Sequence, residues 1–327
     1  MTPSDAKQAI GPLSCMQGCE PAAARAALEA VLAADAPVFM AHPWNRIEGP
    51  GALFDTALAP LYAAMPDLER RETIRMAGLD AAGAMWVGVC GAYSGTFAAP
   101  FLDIPPTGRA AAMRFHEFFR IDDGRAVEMQ ALWDLPELMM QAGAWPMVPS
   151  LGREWHVPGP MTQDGLSITG EDGGRRALGI VSDMLAHLGR SREGEAAMRL
   201  DAFWHPRCAW YGPSGIGTAR GISGFRRHHQ IPFLASMPDR ASGVDAGHLF
   251  GEGNYVGYTS FKGMSVTLTG GGWLGLPGGG QSMTMRSLDF WRVEGDLIRE
   301  NWVLVDLLDV YHQLGVDVFE RMRELGP

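Results

Sequence analysis

The chain has 327 residues, 46% of them hydrophobic, 20% charged and 9% aromatic, and a formal net charge of -10. That length suits two domains of about 150 residues rather than one. The acidic balance, with arginines scattered rather than clustered, excludes a nucleic-acid binder, and no apolar run reaches the roughly 20 residues of a membrane-spanning helix.

All but two of the 27 basic residues are arginine, Lys7 and Lys262 being the exceptions. No G-x-x-x-x-G-K-[ST] phosphate loop is present, and a Schiff-base mechanism would rest on Lys262 alone. The opening Met-Thr-Pro-Ser-Asp-Ala-Lys has no basic region followed by an apolar core, so the expected location is the cytoplasm and residues 1–20 read as an N-terminal extension. Cys15-x-x-x-Cys19 is followed by no second C-x-x-C or H-x-x-x-H, so Cys15, Cys19, Cys90 and Cys208 read as isolated thiols, with neither a metal site nor a disulfide framework.

The next elements come in the order helix, helix, strands. Residues 21–35 have alanine-rich helical spacing with proline near the start, and 51–64 read as a second helix ending at Met65-Pro66-Asp67. Strand-like runs follow, the last two being 110–121 and 125–134, joined by Asp-Asp-Gly, a hairpin signal. A short helix over 135–141 closes this half, and the Pro- and Gly-rich stretch 144–172 reads as a linker. The order then repeats: helical spacing over 175–188 and 195–203, a helix over 221–236 ending at Met237-Pro238-Asp239, strands 282–293 and 297–306 joined by Glu-Gly-Asp, and a closing helix over 307–323. The glycine runs at 270–275 and 278–280 lie between strands with no helix after them. They read as a rim loop, not a dinucleotide fingerprint.

Setting residue n against n + 172 aligns the ends of the two halves without a gap. M-R-F-H-E-F-F-R-I-D-D-G-R-A-V-E-M-Q-A-L-W-D-L from Met113 matches M-R-S-L-D-F-W-R-V-E-G-D-L-I-R-E-N-W-V-L-V-D-L from Met285, and Gln141 and Gly143 match Gln313 and Gly315. His42-Pro43 parallels His205-Pro206, while Trp210-Tyr211-Gly212-Pro213 reads as an insertion confined to the second copy. Units this long are paired domains, 21–143 and 173–327, rather than a solenoid. Helices leading into an antiparallel sheet make each an α+β domain.

The runs P-P-T-G-R, F-F-R-I-D-D-G-R-A-V-E, W-D-L and Q-A-G, with F-W-R-V-E-G-D-L-I-R-E-N-W, V-D-L and H-Q-L-G in the second half, resemble the SnoaL-like polyketide cyclases of the nuclear transport factor 2-like superfamily. The resemblance covers most of both copies. It implies two cone-shaped domains, each a strongly bent sheet around a pocket closed by helices, packed together as an internal pseudo-dimer. It also implies a small apolar or cyclic ligand, no cofactor, and a catalytic aspartate at the end of the last strand, here Asp134 and Asp306. Such a carboxylate serves as acid/base in aldol closure, because proton removal next to a carbonyl needs one positioned carboxylate with a raised pKa.

The even spacing of Glu128, Gln130 and Asp134, and of Glu300, Trp302 and Asp306, puts each set on one strand face, which reads as the pocket lining. The face with Asn301, Val303 and Val305 then reads as packing. If the hairpin register sets Arg114 opposite Asp134 and Arg286 opposite Asp306, these are cross-strand ion pairs instead. Two- and three-residue loops give opposite parities, so both arrangements stay open. His116, His42, His205, His229 and Trp210 complete the candidate lining; of His228 and His229, adjacent on one helix, at most one reaches a pocket. Three functions fit: a cofactor-independent isomerase or lyase, a non-catalytic binder of an apolar metabolite, or a scaffold.

Overall fold

The computed structural model describes residues 1–18, 20–169, 173–193, 195–240 and 247–325. The chain forms two compact units. One comprises Met1–Pro146 with Met161–Ser167 and the segment from Asp317 onward; the other comprises Met147–Pro160 and Ile168–Val316.

The first unit carries β1 (Pro37–Phe39), β2 (Arg46–Glu48), β3 (Glu69–Leu79), β4 (Met85–Thr96), β5 (Ala110–Asp122) and β6 (Arg125–Trp133), in the sheet order β2-β1-β6-β5-β4-β3. The second carries β7 (Trp204–Tyr211), β8 (Thr218–Arg220), β9 (His248–Glu252), β10 (Tyr255–Leu268), β11 (Gln281–Glu294) and β12 (Leu297–Val305), in the order β8-β7-β12-β11-β10-β9. The fold is α+β, with antiparallel neighbours except where β1 joins β6 and β7 joins β12 in parallel. Those two parallel pairings are the departure from the antiparallel sheet expected.

The offset of 172 holds across most of the fold, and the register corrects three sequence readings. Val38 pairs with Met129 as Trp210 pairs with Asn301, so Trp210 and Tyr211 are strand residues equivalent to Val38 and Phe39, not an insertion. His42 follows β1 in the turn before β2, whereas His205 lies inside β7, so the two His-Pro pairs occupy different places. Arg175–Leu188, set against Pro21–Asp35 by sequence, is in register with Pro3–Ala9 and Gly11–Gln17, and both segments pack on the outer strands of their sheet. The second copy has one continuous 14-residue helix there. The first is broken at Gly11-Pro12, because proline lacks the N–H that a continuing helix needs.

Each copy also contains a helix interrupted by a π turn, at Phe54–Leu58 and at Arg226–Gln230, inside 49–64 and 221–236. The closing helix expected over 307–323 is two helices, Leu307–Gln313 and Val318–Leu325. The second of these belongs to the first unit, where Arg323 pairs with Asp103 at 3.0 Å. Part of the expected linker is built into the second unit: Glu154 accepts from Ser214 Oγ and Gly215 N at 3.0 Å each, and Trp302 Nε1 donates to Pro158 O at 2.9 Å. No helix among the described residues is long and apolar enough to cross a membrane.

Candidate functional site

The hairpin register follows from one extra residue. Asp122 pairs with Arg125 across a two-residue turn, and a bulge at Val127 then shifts the parity so that Phe115 faces Trp133. Arg299 is the equivalent bulge in β12. This shift sets Arg114 beside Asp134 and Arg286 beside Asp306. Arg114 Nη2 donates to Asp134 Oδ2 at 2.6 Å, and Arg286 Nη1 to Asp306 Oδ2 at 3.1 Å. Both aspartates begin the following helix; Asp306 Oδ1 accepts from Asp309 N at 3.1 Å, capping it.

The recurring glutamines have a similar task. Gln141 bonds both backbone atoms of Ala112 at 3.0 and 2.6 Å, and Gln313 both of Thr284 at 2.9 Å. Each ties its helix to the sheet like an added ladder rung.

The second unit holds a cavity of about 260 Å³. One wall is the face of β11 and β12 that carries Ser287, Asp289, Trp291, Asn301, Val303 and Val305. Trp204 and Trp210 of β7, then Phe225, His229 and Phe233 of the helix with the π turn, line another part; Arg240, Tyr258 and Trp273 also border it. The cavity face is therefore the one read from sequence as packing. Glu300 and Trp302 alternate to the other face, where Arg292 pairs with Glu300 at 2.5 Å and Tyr211 OH donates to it at 3.3 Å. Neither they nor Asp306 line the cavity; of the expected lining residues, Trp210 and His229 do.

Asp289 is the one acidic side chain among the described residues that border this space. Burial pushes its carboxyl up to about 7, against the partial pull of hydrogen bonds from Asn301 and Ser287 and the charge of Arg240. His229 stacks on Trp210, with ring centroids 4.2 Å apart, and burial, aided by Arg240, pushes it down to about 3. Its imidazole is therefore neutral at neutral pH. Sequence reasoning missed Asp289 because its partner in the other copy, Glu117, is also acidic and lies mid-strand, where a carboxylate reads as an ordinary cross-strand group.

In the first unit the equivalent space is filled. Glu117 Oε2 accepts from Arg70 Nη2 at 2.6 Å, and its Oε1 from Tyr93 OH at 3.0 Å and Trp133 Nε1 at 3.2 Å. Arg70 also pairs with Glu72 and lies 4.4 Å from the Phe115 ring centroid. These glutamates, outweighing burial, keep the guanidinium firmly charged. About 10 Å³ remains. His116 is buried on the strand face opposite Glu117, Gln130 Nε2 donates to Glu128 at 2.8 Å, and Arg120 pairs with Glu128 at 3.2 Å. His42 lies 6.4 Å from Phe319, and His205 Nδ1 accepts from Arg207 N at 3.0 Å. None of these five borders the second unit's cavity.

Among the described residues, no three His, Cys, Asp or Glu side chains cluster as metal ligands. Cys90 and Cys208 are buried thiols and Cys15 is exposed; Cys19 lies outside the described residues.

The SnoaL-like polyketide cyclase profile matches residues 16–142 and again residues 189–314. With a six-stranded sheet in each matched segment, the chain belongs to the SnoaL-like polyketide cyclase family as a tandem of two such domains. Similar solved structures include IdmH from Streptomyces antibioticus, 20% identical over 42% of this chain and 98% of that one, with a TM-score of 0.36. TsrD from Streptomyces laurentii is 19% identical over 44% and 98%, with a TM-score of 0.36. A protein with a ketosteroid isomerase-like fold from Catenulispora acidiphila is 17% identical over 42% and 92%, with a TM-score of 0.32. No curated protein matches the chain.

Proposed function

We propose that the second unit is the working half of the chain, a cofactor-independent isomerase or lyase in which Asp289 moves a proton next to a carbonyl. The observation that carries this reading is a single carboxyl, buried in an aromatic cavity, that titrates near neutrality. A group with that pKa exists in both forms at pH 7, so it can remove a proton and return it.

The ionised carboxylate takes a proton from the carbon α to a carbonyl, and the C–H electron pair becomes the enolate. In an aldol closure the enolate carbon then attacks a second carbonyl carbon, whose π electrons pass to its oxygen, and protonated Asp289 returns the proton to that alkoxide. In an isomerisation the proton returns to a different carbon. Asn301 and Ser287, hydrogen-bonded to the carboxyl, hold it in place. Asp134 and Asp306, each clamped by an arginine at the start of a helix, are assigned to structure in this scheme.

Exchange of the α-protons of 2-tetralone in D₂O, followed by NMR, tests the scheme. The wild type is expected to accelerate exchange. Asp289→Asn should lower that rate about 100-fold or more, and Asp306→Asn should leave it near wild type once folding is verified. An unchanged rate in Asp289→Asn removes Asp289 from the chemistry.

A further inference from the structure

Three buried indole N–H groups, on Trp204, Trp273 and Trp291, find no hydrogen-bond partner among the described residues, nor do Arg240 Nε and His229 Nδ1. All five residues border the second unit's cavity. A buried polar atom left unpaired costs the full desolvation of that group, so so many around one space call for an explanation.

The other copy shows that the fold does not require them. Trp204 is in register with Leu32, since each lies beside the matching residue of the last strand, Ile298 and Ala126. Trp273 bridges Leu276 as Phe101 bridges Ile104. Trp291 pairs with Asn301 as Phe119 pairs with Met129. Arg240 N bonds Met237 O as Leu68 N bonds Met65 O, and the matched π turns set His229 against Ala57. Every one of the five polar groups thus replaces an apolar residue of the first unit, and Leu32, Ala57, Leu68, Phe101 and Phe119 are all buried. Four of the five unpaired atoms are N–H donors, and one of those carries a formal positive charge. Among the described residues no carboxylate lies within ion-pair distance of Arg240, although its charge and that of Asp289 act on each other.

We propose that this cavity selects a planar, oxygen-bearing organic anion, with Arg240 as the specificity residue that receives the anionic group and the indole N–H groups receiving neutral oxygens. This rests on the reading of the cavity as a ligand site and adds the charge of the ligand to it. A neutral aromatic of the same shape leaves Arg240 Nε without a charged partner and is rejected in proportion.

The test titrates the full chain with 2-naphthoate and with 2-naphthamide, a planar pair differing in charge, by tryptophan fluorescence and calorimetry. Naphthoate is expected to bind at least tenfold tighter. Arg240→Leu, which installs the residue of the first unit, should erase that preference. Arg240→Lys should restore part of it, a recovery that a purely structural arginine would not show and that decides the matter if the leucine variant misfolds. Equal affinities in the wild type, a preference surviving in Arg240→Leu, or binding of neither probe overturns the proposal. Failure here with the amide still bound leaves Asp289 and the ligand cavity standing. Conversely, an exchange rate unchanged in Asp289→Asn, with the anion preference intact, sinks only the catalytic reading.

Discussion

The two units share a strand order, a hairpin bulge and a glutamine rung, yet one is solid and the other hollow. The difference lies in few positions. Phe115, Trp133 and Tyr93 of the first unit stand at the positions that Ser287, Val305 and Met264 occupy in the second, and the volume these smaller or slimmer side chains release is the cavity. Glu117 and Asp289 occupy the same place and do opposite things. The longer acid reaches a guanidinium, a phenol and an indole and becomes the hub of a filled core. The shorter one keeps two weak side-chain partners and a neutral-range pKa. A duplicated scaffold can therefore keep a packed core in one copy and a cavity in the other.

The largest effect should come from removing the hub. Glu117→Ala leaves Arg70 buried with only Glu72 opposite, and truncating one partner of a buried pair costs about 3–5 kcal/mol. Urea unfolding should show that loss, whereas Asp289→Asn, nearly isosteric and uncharged, should cost less than about 1 kcal/mol at pH 7. Equal losses would erase the distinction between hub and site.

Filling the hollow copy comes next. Ser287→Phe with Val305→Trp reproduces the first unit's residues and should abolish naphthoate binding, with the melting temperature held or raised. Retained binding would place the ligand elsewhere.

A smaller effect appears in the pH profile. Asp289, folded near 7 against 3.8 for a solvated carboxyl, holds a proton that the unfolded chain has lost, so its contribution is full below pH 3.8 and disappears as pH rises through 7. His229, folded near 3 against 6.5, contributes fully above pH 6.5 and loses that as pH falls through 3. Between about pH 4 and 6.5 the two slopes oppose each other. Asp289→Asn should expose a stability rising with pH by up to about 1.4 kcal/mol per unit there, and His229→Asn a stability falling. Parallel profiles for wild type and both variants would contradict the shifted titrations. Smallest of all, Gln141→Ala and Gln313→Ala should each cost about 1 kcal/mol, alike in the two units because the rung is alike.

The repeat, the α+β class and the hairpin were legible because the Met-Arg, Phe-aromatic-Arg and Gln-x-Gly positions recur in register. The same recurrence marks what both copies share: the arginine pairs of Asp134 and Asp306 and the glutamine rungs. The cavity, wide in only one copy, lies where the copies differ, at Ser287, Asn301 and Arg240. Strand facing was not legible, because one bulged residue, Val127 or Arg299, inverts the parity and carries no sequence mark. The placing of His42 and His205 failed for a related reason: a shared dipeptide is weaker evidence of equivalence than a strand pairing.

The helix Val318–Leu325 buries Val318, Phe319 and Met322 in the unit that begins at the other end of the chain. During synthesis, domains fold as units in the order they emerge. Here the first to emerge must wait for the last: its apolar seat for this helix stays open while the entire second half is made. The unit that holds the cavity can then be complete before the first unit is.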